Sequence, residues 1–108
     1  MAKLWRASCA GDVHAVAALL ADDRLGADVN YTGARGATPL FIASEKGHAE
    51  VVSMLLAKQG VDVNQAKNNG ATPLFIAIQN GHAEVVSMLL GKQGVDVNQA
   101  RNDGITPL

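Results

Sequence analysis

Residues 37–70 read ATPLFIASEKGHAEVVSMLLAKQGVDVNQAKNNG, and residues 71–104 read ATPLFIAIQNGHAEVVSMLLGKQGVDVNQARNDG. The two stretches differ at six of 34 positions and agree at the other 28. The differences are Ser44/Ile78, Glu45/Gln79, Lys46/Asn80, Ala57/Gly91, Lys67/Arg101 and Asn69/Asp103. Self-similarity at a fixed period of roughly 20–50 residues is the signature of stacked structural units. A weaker copy precedes these two, since Gly11-Asp12-Val13-His14-Ala15-Val16 echoes Gly47-His48-Ala49-Glu50-Val51-Val52. Another opening stands at Ile105-Thr106-Pro107-Leu108. The chain therefore divides into a first, capping unit over 1–34, a second over 35–68, a third over 69–102, and the start of a fourth over 103–108.

Within the second unit, Thr38-Pro39 is a helix start. The threonine hydroxyl can accept from an orphan N–H, and proline fits the first helical position. Leu40, Ile42 and Ala43 supply an apolar face, and Gly47 closes the helix with a left-handed cap. A second helix follows, with Glu50 in its first turn and an apolar stripe of Val51, Val52, Leu55 and Leu56 running to a break at Gly60. Val61–Asn64 reads as extended, and Asn68-Asn69-Gly70 as a tight hairpin-type turn. Helices of this length are marginal alone in water and must stack on neighbours, which makes the array a solenoid.

The run Thr38-Pro39-Leu40, Ala43, Gly47-His48, Val51-Val52, Leu55-Leu56 and Gly60-Val61-Asp62-Val63-Asn64 resembles the ankyrin repeat. The resemblance covers nearly all of residues 2–108, twice in full and twice in part. It implies an all-α ankyrin-repeat solenoid with short projecting β-turn fingers. Two departures stand out. Phe41 and Phe75 take the place of the family's histidine after Thr-Pro-Leu, so apolar packing replaces a side-chain hydrogen bond. An insert follows each Leu-Leu pair: Ala57-Lys58-Gln59 and Gly91-Lys92-Gln93, and a longer Ala21–Leu25 in the first unit. These are expected to extend the exit of the second helix.

Composition narrows the function. The 108 residues carry 9 basic and 10 acidic side chains, a net charge of -1, and only 4% aromatics against 48% apolar residues. No basic stripe speaks for nucleic acid. The longest apolar run, Ala15–Ala21, is far short of the roughly 20 residues of a membrane span. No secretory leader is visible, and Cys9 stands alone, which together point to the cytoplasm or another reducing compartment.

Repetition argues against an enzyme. His48, Ser53 and Asp62 could be taken for a triad, but the same set recurs as His82, Ser87 and Asp96, which marks them as scaffold. The histidines are read as stabilising the turns between helices, and His14 lies in the degenerate unit. No Cys or carboxylate cluster accompanies them as metal ligands, and no phosphate-cradling loop follows a strand. Cys9 reads as a small buried residue. Neither a metal nor a cofactor is expected.

What the resemblance implies is a protein-binding adaptor or scaffold with a rigid concave groove. Carried onto this chain, the groove takes Thr32, Ala34, Arg35, Ala37, Glu45 and Lys46 at one end. Ala66, Asn68, Asn69, Ala71, Gln79 and Asn80 follow, and Ala100, Asn102, Asp103 and Ile105 close it. Contact is expected chiefly from Arg35, Glu45, Lys46, Asn68, Asn69, Gln79, Asn80, Asn102 and Asp103. Solvated surface drift accounts equally well for the positions that differ between copies. Asn30, Asn64 and Asn98 resemble the ankyrin asparagines that asparaginyl hydroxylases modify; alternatively they cap their own turns. The alternatives to an adaptor are a truncated or engineered scaffold fragment without its own partner, and the targeting part of a larger enzyme.

After Leu90 no complete unit covers the third helical pair. Val85, Val86, Leu89 and Leu90 are then expected to stay partly open, giving weak self-association through that end. A lid formed by Ile105–Leu108 is the competing arrangement. Ile78 is expected to pack toward the start of the fourth unit rather than to face a partner.

Overall fold

A computed structural model describes residues 3–22, 24 and 27–107. Three helical hairpins follow one another: α1 (Lys3–Ala10) with α2 (Val13–Ala21), α3 (Pro39–Lys46) with α4 (Ala49–Ala57), and α5 (Pro73–Gln79) with α6 (Ala83–Leu90). Each pair packs on the next. α1, α3 and α5 form one layer, and α2, α4 and α6 form the other. Between hairpins the chain leaves the stack as a finger, and among the described residues the fingers contain turns but no strand.

The local signals act as the chemistry requires. Thr38 Oγ1 accepts from Phe41 N at 3.1 Å, and Thr72 Oγ1 from Phe75 N at 3.1 Å, each ahead of a proline in the first turn. Gly47 caps α3 with a φ of 75° and donates to the carbonyls of Ala43 and Ser44. α1 and α2 turn at Gly11, and Asp12 caps α2 through Ala15 N at 3.1 Å.

The main core lies between the two helix layers, with Leu40, Leu55, Leu74 and Leu89 at its centre. A second, smaller cluster of Ala37, Phe41, Ala71, Phe75 and Ile76 lies under the fingers. Phe41 and Phe75 thus fill the histidine position with packing, as the sequence suggests. The hydroxyls of Ser8 and Ser44 are buried without a hydrogen-bond partner. These two serines are equivalent positions, and Ile78 holds the third.

Several expectations need correcting. The helix read as running to Gly60 stops at Ala57, and α6 stops at Leu90. The insert does not lengthen the helix; Lys58 turns away in an extended conformation. Its ammonium donates to Leu20 O at 3.0 Å, and Lys92 donates to Leu56 O at 2.8 Å, so each insert ties a unit to its predecessor. In the first unit, Asp23 and Leu25 of the insert lie outside the described residues. Val61–Asn64 is not extended throughout. Asp62 Oδ1 accepts from Asn64 N at 3.0 Å and pulls Val63-Asn64 into a turn.

At the far end, Val85 and Leu89 are buried, because the stripe turns them toward the core rather than outward. Only Leu90, at 44% exposure, is open, with Val86 half-buried. Ile78 is half-buried against the main core. Ile105 is 51% exposed, whereas Pro107 is buried. Leu108 lies outside the described residues.

Candidate partner-binding groove

The fingers form a linked row. Each is a tight loop closed across its base: Gly33 N to Ala37 O at 2.8 Å, Lys67 N to Ala71 O at 3.0 Å, and Arg101 N to Ile105 O at 2.8 Å. Neighbouring fingers then bond edge to edge, Asn68 N to Arg35 O at 2.9 Å and Asn102 N to Asn69 O at 2.8 Å. Trp5 anchors the first of them. Its indole N–H donates to Ala37 O at 2.9 Å, and its ring packs so closely on Gly33 that a Cβ there would come within 2.5 Å of it.

Nine side chains carried the sequence-based expectation of contact, and they fall into two groups. Five are engaged by the frame. Asn68 packs its amide on Gly36, where a Cβ would meet Oδ1 at 2.4 Å. Asn69 Oδ1 accepts from Ala71 N at 2.9 Å. Asn80 Nδ2 donates to Glu45 O at 3.0 Å, and Asn102 Nδ2 to Asn68 O at 3.0 Å. Asp103 pairs with Arg101 and accepts from Ile105 N at 3.2 Å. The hydrogen bond from Arg101 holds the Asp103 carboxyl below the usual carboxylate range, and the same bond raises Arg101.

The other four are Arg35, Glu45, Lys46 and Gln79. Their side chains make no hydrogen bond or ion pair with the described residues, and all but the half-buried Glu45 are exposed. Arg35 also sits at φ 57°, ψ 23°, a left-handed conformation uncommon outside glycine. Ala37 and Ala71, which the carried-over groove included, are buried in the cluster beneath it and present no surface.

Sequence reasoning missed two cations held over the apolar floor of the groove. The Lys67 ammonium lies 5.2 Å from the centre of the Phe41 ring, and the Arg101 guanidinium 4.9 Å from that of Phe75. The signal was present in the 34-residue spacing of both pairs, but only folding brings residues 26 apart in sequence face to face. Such contacts fix a charge above an apolar floor at modest energy, of order 0.5–1 kcal/mol when exposed.

The histidines do not act within their own hairpins. His48 Nε2 lies 3.0 Å from Cys9 O and His82 Nε2 2.9 Å from Glu45 O, both carbonyls of the preceding unit. A carbonyl only accepts, so Nε2 carries the proton in each. Each ring also lies on a glycine of that unit: a Cβ on Gly11 would come within 2.8 Å of His48, and one on Gly47 within 2.7 Å of His82. His48 is thus committed to the stack and not to Ser53.

The asparagines of the Asp-Val-Asn segments are similarly used. Asn30 donates to Gly60 O at 2.8 Å and accepts from Asp62 N at 2.8 Å. Asn64 does the same to Gly94 O at 2.8 Å and Asp96 N at 2.7 Å. The side chain of Asn98 is exposed and makes no such bridge among the described residues.

Among the described residues, no three His, Cys, Asp or Glu side chains gather as a metal-ligand set, and no helix is long and apolar enough to cross a membrane. No curated protein matches the chain. A family model for ankyrin repeats, in three copies, matches residues 4–101. With 98 of its 108 residues matched and the histidine, lysine and asparagine ties repeated in register, the chain belongs to the ankyrin repeat family, whose repeats are generally protein–protein interaction modules.

Proposed function

We propose that this chain is an adaptor or scaffold that binds another protein along the finger side of the stack. One observation carries the reading. Arg35 on the first finger and Glu45, Lys46 and Gln79 at the ends of α3 and α5 have side chains without partners among the described residues, while neighbouring polar groups are spent on the frame. Asn68, Asn69, Asn80, Asn102 and Asp103 serve mainly by holding that row, and meet a partner through their exposed edges. A preformed surface limits the ordering cost of association. The lone Cys9 suits a reducing compartment such as the cytoplasm.

The test is a pull-down from cell lysate with the native chain beside a variant carrying Arg35→Ala, Glu45→Ala, Lys46→Ala and Gln79→Ala. Asn80 is left intact because it ties α5 to Glu45 O. Far-UV circular dichroism checks that the variant folds. A partner kept by the native chain and lost by the variant is the expected result. A partner kept equally by both removes the finger side as the binding surface.

Weak self-association is a second reading, favoured by the exposure of Leu90. Against head-to-tail stacking, the first unit carries Asp12 and Asp22 where following units insert His48 and Lys58. Light scattering over a concentration series decides it, and a constant monomer mass excludes it.

A further inference from the structure

We infer that the groove between the first and second units is a site for an extended protein segment that presents one acidic side chain beside an apolar one. The inference rests on the groove reading above and names the partner's chemistry at one place in it. Trp5, Arg35, Phe41, Ile42, Glu45 and Lys67 line a hollow of about 260 Å³ there. Small-molecule pockets run to roughly 300–1,000 Å³, so the space suits one or two side chains of a segment.

The floor is apolar. Phe41 and Ile42 belong to the buried set, and the Trp5 N–H is already spent on Ala37 O, leaving ring carbon toward the hollow. The rim is charged. Lys67 is held over the Phe41 ring, and Arg35 leaves a backbone fixed by the Asn68 N–H bond to its carbonyl. Neither cation has an acidic partner among the described residues. Two cations lining one hollow with an apolar floor complement a carboxylate carried next to an apolar side chain. Glu45, whose side chain also has no partner among the described residues, supplies an acceptor for a backbone N–H of the segment and repels a second acid, which selects against acidic tracts.

The equivalent place between the second and third units lacks this chemistry. Asn69 stands for Arg35 and Gln79 for Glu45, and Arg101, standing for Lys67, is neutralised by Asp103. The charged hollow therefore occurs once in an otherwise duplicated surface, and it sets the register of a bound segment.

The experiment is selection of a phage-displayed random heptapeptide library on the immobilised full chain, followed by fluorescence anisotropy with the selected peptides. The expected peptides pair one Asp or Glu with an adjacent apolar residue. Their affinity falls roughly tenfold or more in the Arg35→Gln, Lys67→Gln double variant. It also weakens severalfold as salt rises from about 0.05 to 0.5 M. Glu45→Gln admits peptides with two acids. Neither cation is part of an inter-unit tie, so circular dichroism of the double variant is expected to match the native chain. Peptides lacking the acid–apolar pair, or binding the double variant equally well, overturn the inference. If those same peptides are weakened by Lys46→Ala or Gln79→Ala, the groove reading survives without it. A library with no enriched peptide overturns this inference, while the pull-down still decides the broader reading.

Discussion

The junction between the first and second units and the junction between the second and third are closed by the same three ties. A histidine seats on a glycine and a carbonyl of the preceding unit: His48 on Gly11 and Cys9 O, His82 on Gly47 and Glu45 O. A lysine reaches back to the end of the preceding outer helix, Lys58 to Leu20 O and Lys92 to Leu56 O. An asparagine bridges forward to the next loop, Asn30 and then Asn64. What differs lines the candidate groove: Trp5 and three charges without an ionic partner among the described residues at one junction, amides and an internally paired Arg101 at the other. The three ties use residues that repeat, while most positions that differ lie at the surface, with Asn80 as an exception that also ties α5 to Glu45 O. A near-perfect duplication thus marks, within one chain, the ties that both junctions share.

The comparison is tested most severely by one substitution made in both copies. Leu56 is 9% exposed and Leu90, its equivalent, 44%. Leu56→Ala is expected to cost about 2–5 kcal/mol in urea unfolding, and Leu90→Ala under about 1 kcal/mol. Equal losses would mean that position in the stack does not govern stability. Glycine sharpens the histidine tie. Gly47 and Gly81 share a left-handed backbone, but a Cβ meets His82 only at Gly47, while nothing lies within 4 Å at Gly81. Gly81→Ala pays only the conformational cost, about 1–2 kcal/mol; Gly47→Ala must also displace the ring and reaches roughly 3 kcal/mol. A smaller contrast lies in the bridges. Asn64→Ala loses two hydrogen bonds and is expected to cost about 1 kcal/mol, whereas Asn98→Ala stays within about 0.5 kcal/mol.

The smallest effect is electrostatic and confined to the last finger. Hydrogen bonding to Arg101 lowers the Asp103 carboxyl below its ordinary value. A depressed folded value stabilises the fold above the unfolded value, near pH 4, and that contribution disappears as pH falls through the depressed one. The group is exposed, so the change is slight. An NMR titration of native chain and Arg101→Ala is expected to show the Asp103 midpoint move up toward the ordinary value.

Much of this arrangement is legible in the residue order, because its signals are local. Thr38-Pro39, Gly47 and the Val51–Leu56 stripe each act within a few residues. The histidine, lysine and asparagine roles were not, since their partners lie 30–39 residues away in the neighbouring unit. The periodicity identified the histidines as scaffold but could not say what they held, and it gave the lysines and asparagines no inter-unit role. Within the candidate site, the polar groove residues could be placed, but not which were already engaged. Asn80 and Gln79 are adjacent amides, yet only the geometry of the end of α5 puts Asn80 against Glu45 O. The cations over Phe41 and Phe75 stayed hidden for a similar reason. Once phenylalanine replaced histidine, no local pattern announced that a ring would need a covering charge.

Trp5 is the chain's single tryptophan, and it lies wholly at the first junction, bonded to Ala37 O and packed on Gly33. Its emission is therefore a local gauge. In a quasi-linear array, each unit answers mainly to its neighbours. Red-shifted fluorescence marks the moment when the first finger leaves its indole, whatever α5 and α6 are doing. Ellipticity sums over all six described helices. An optical melt followed at both signals compares the first junction with the stack as a whole, and an ellipticity midpoint below the fluorescence midpoint spans the temperatures at which helices elsewhere have frayed while the near end still holds.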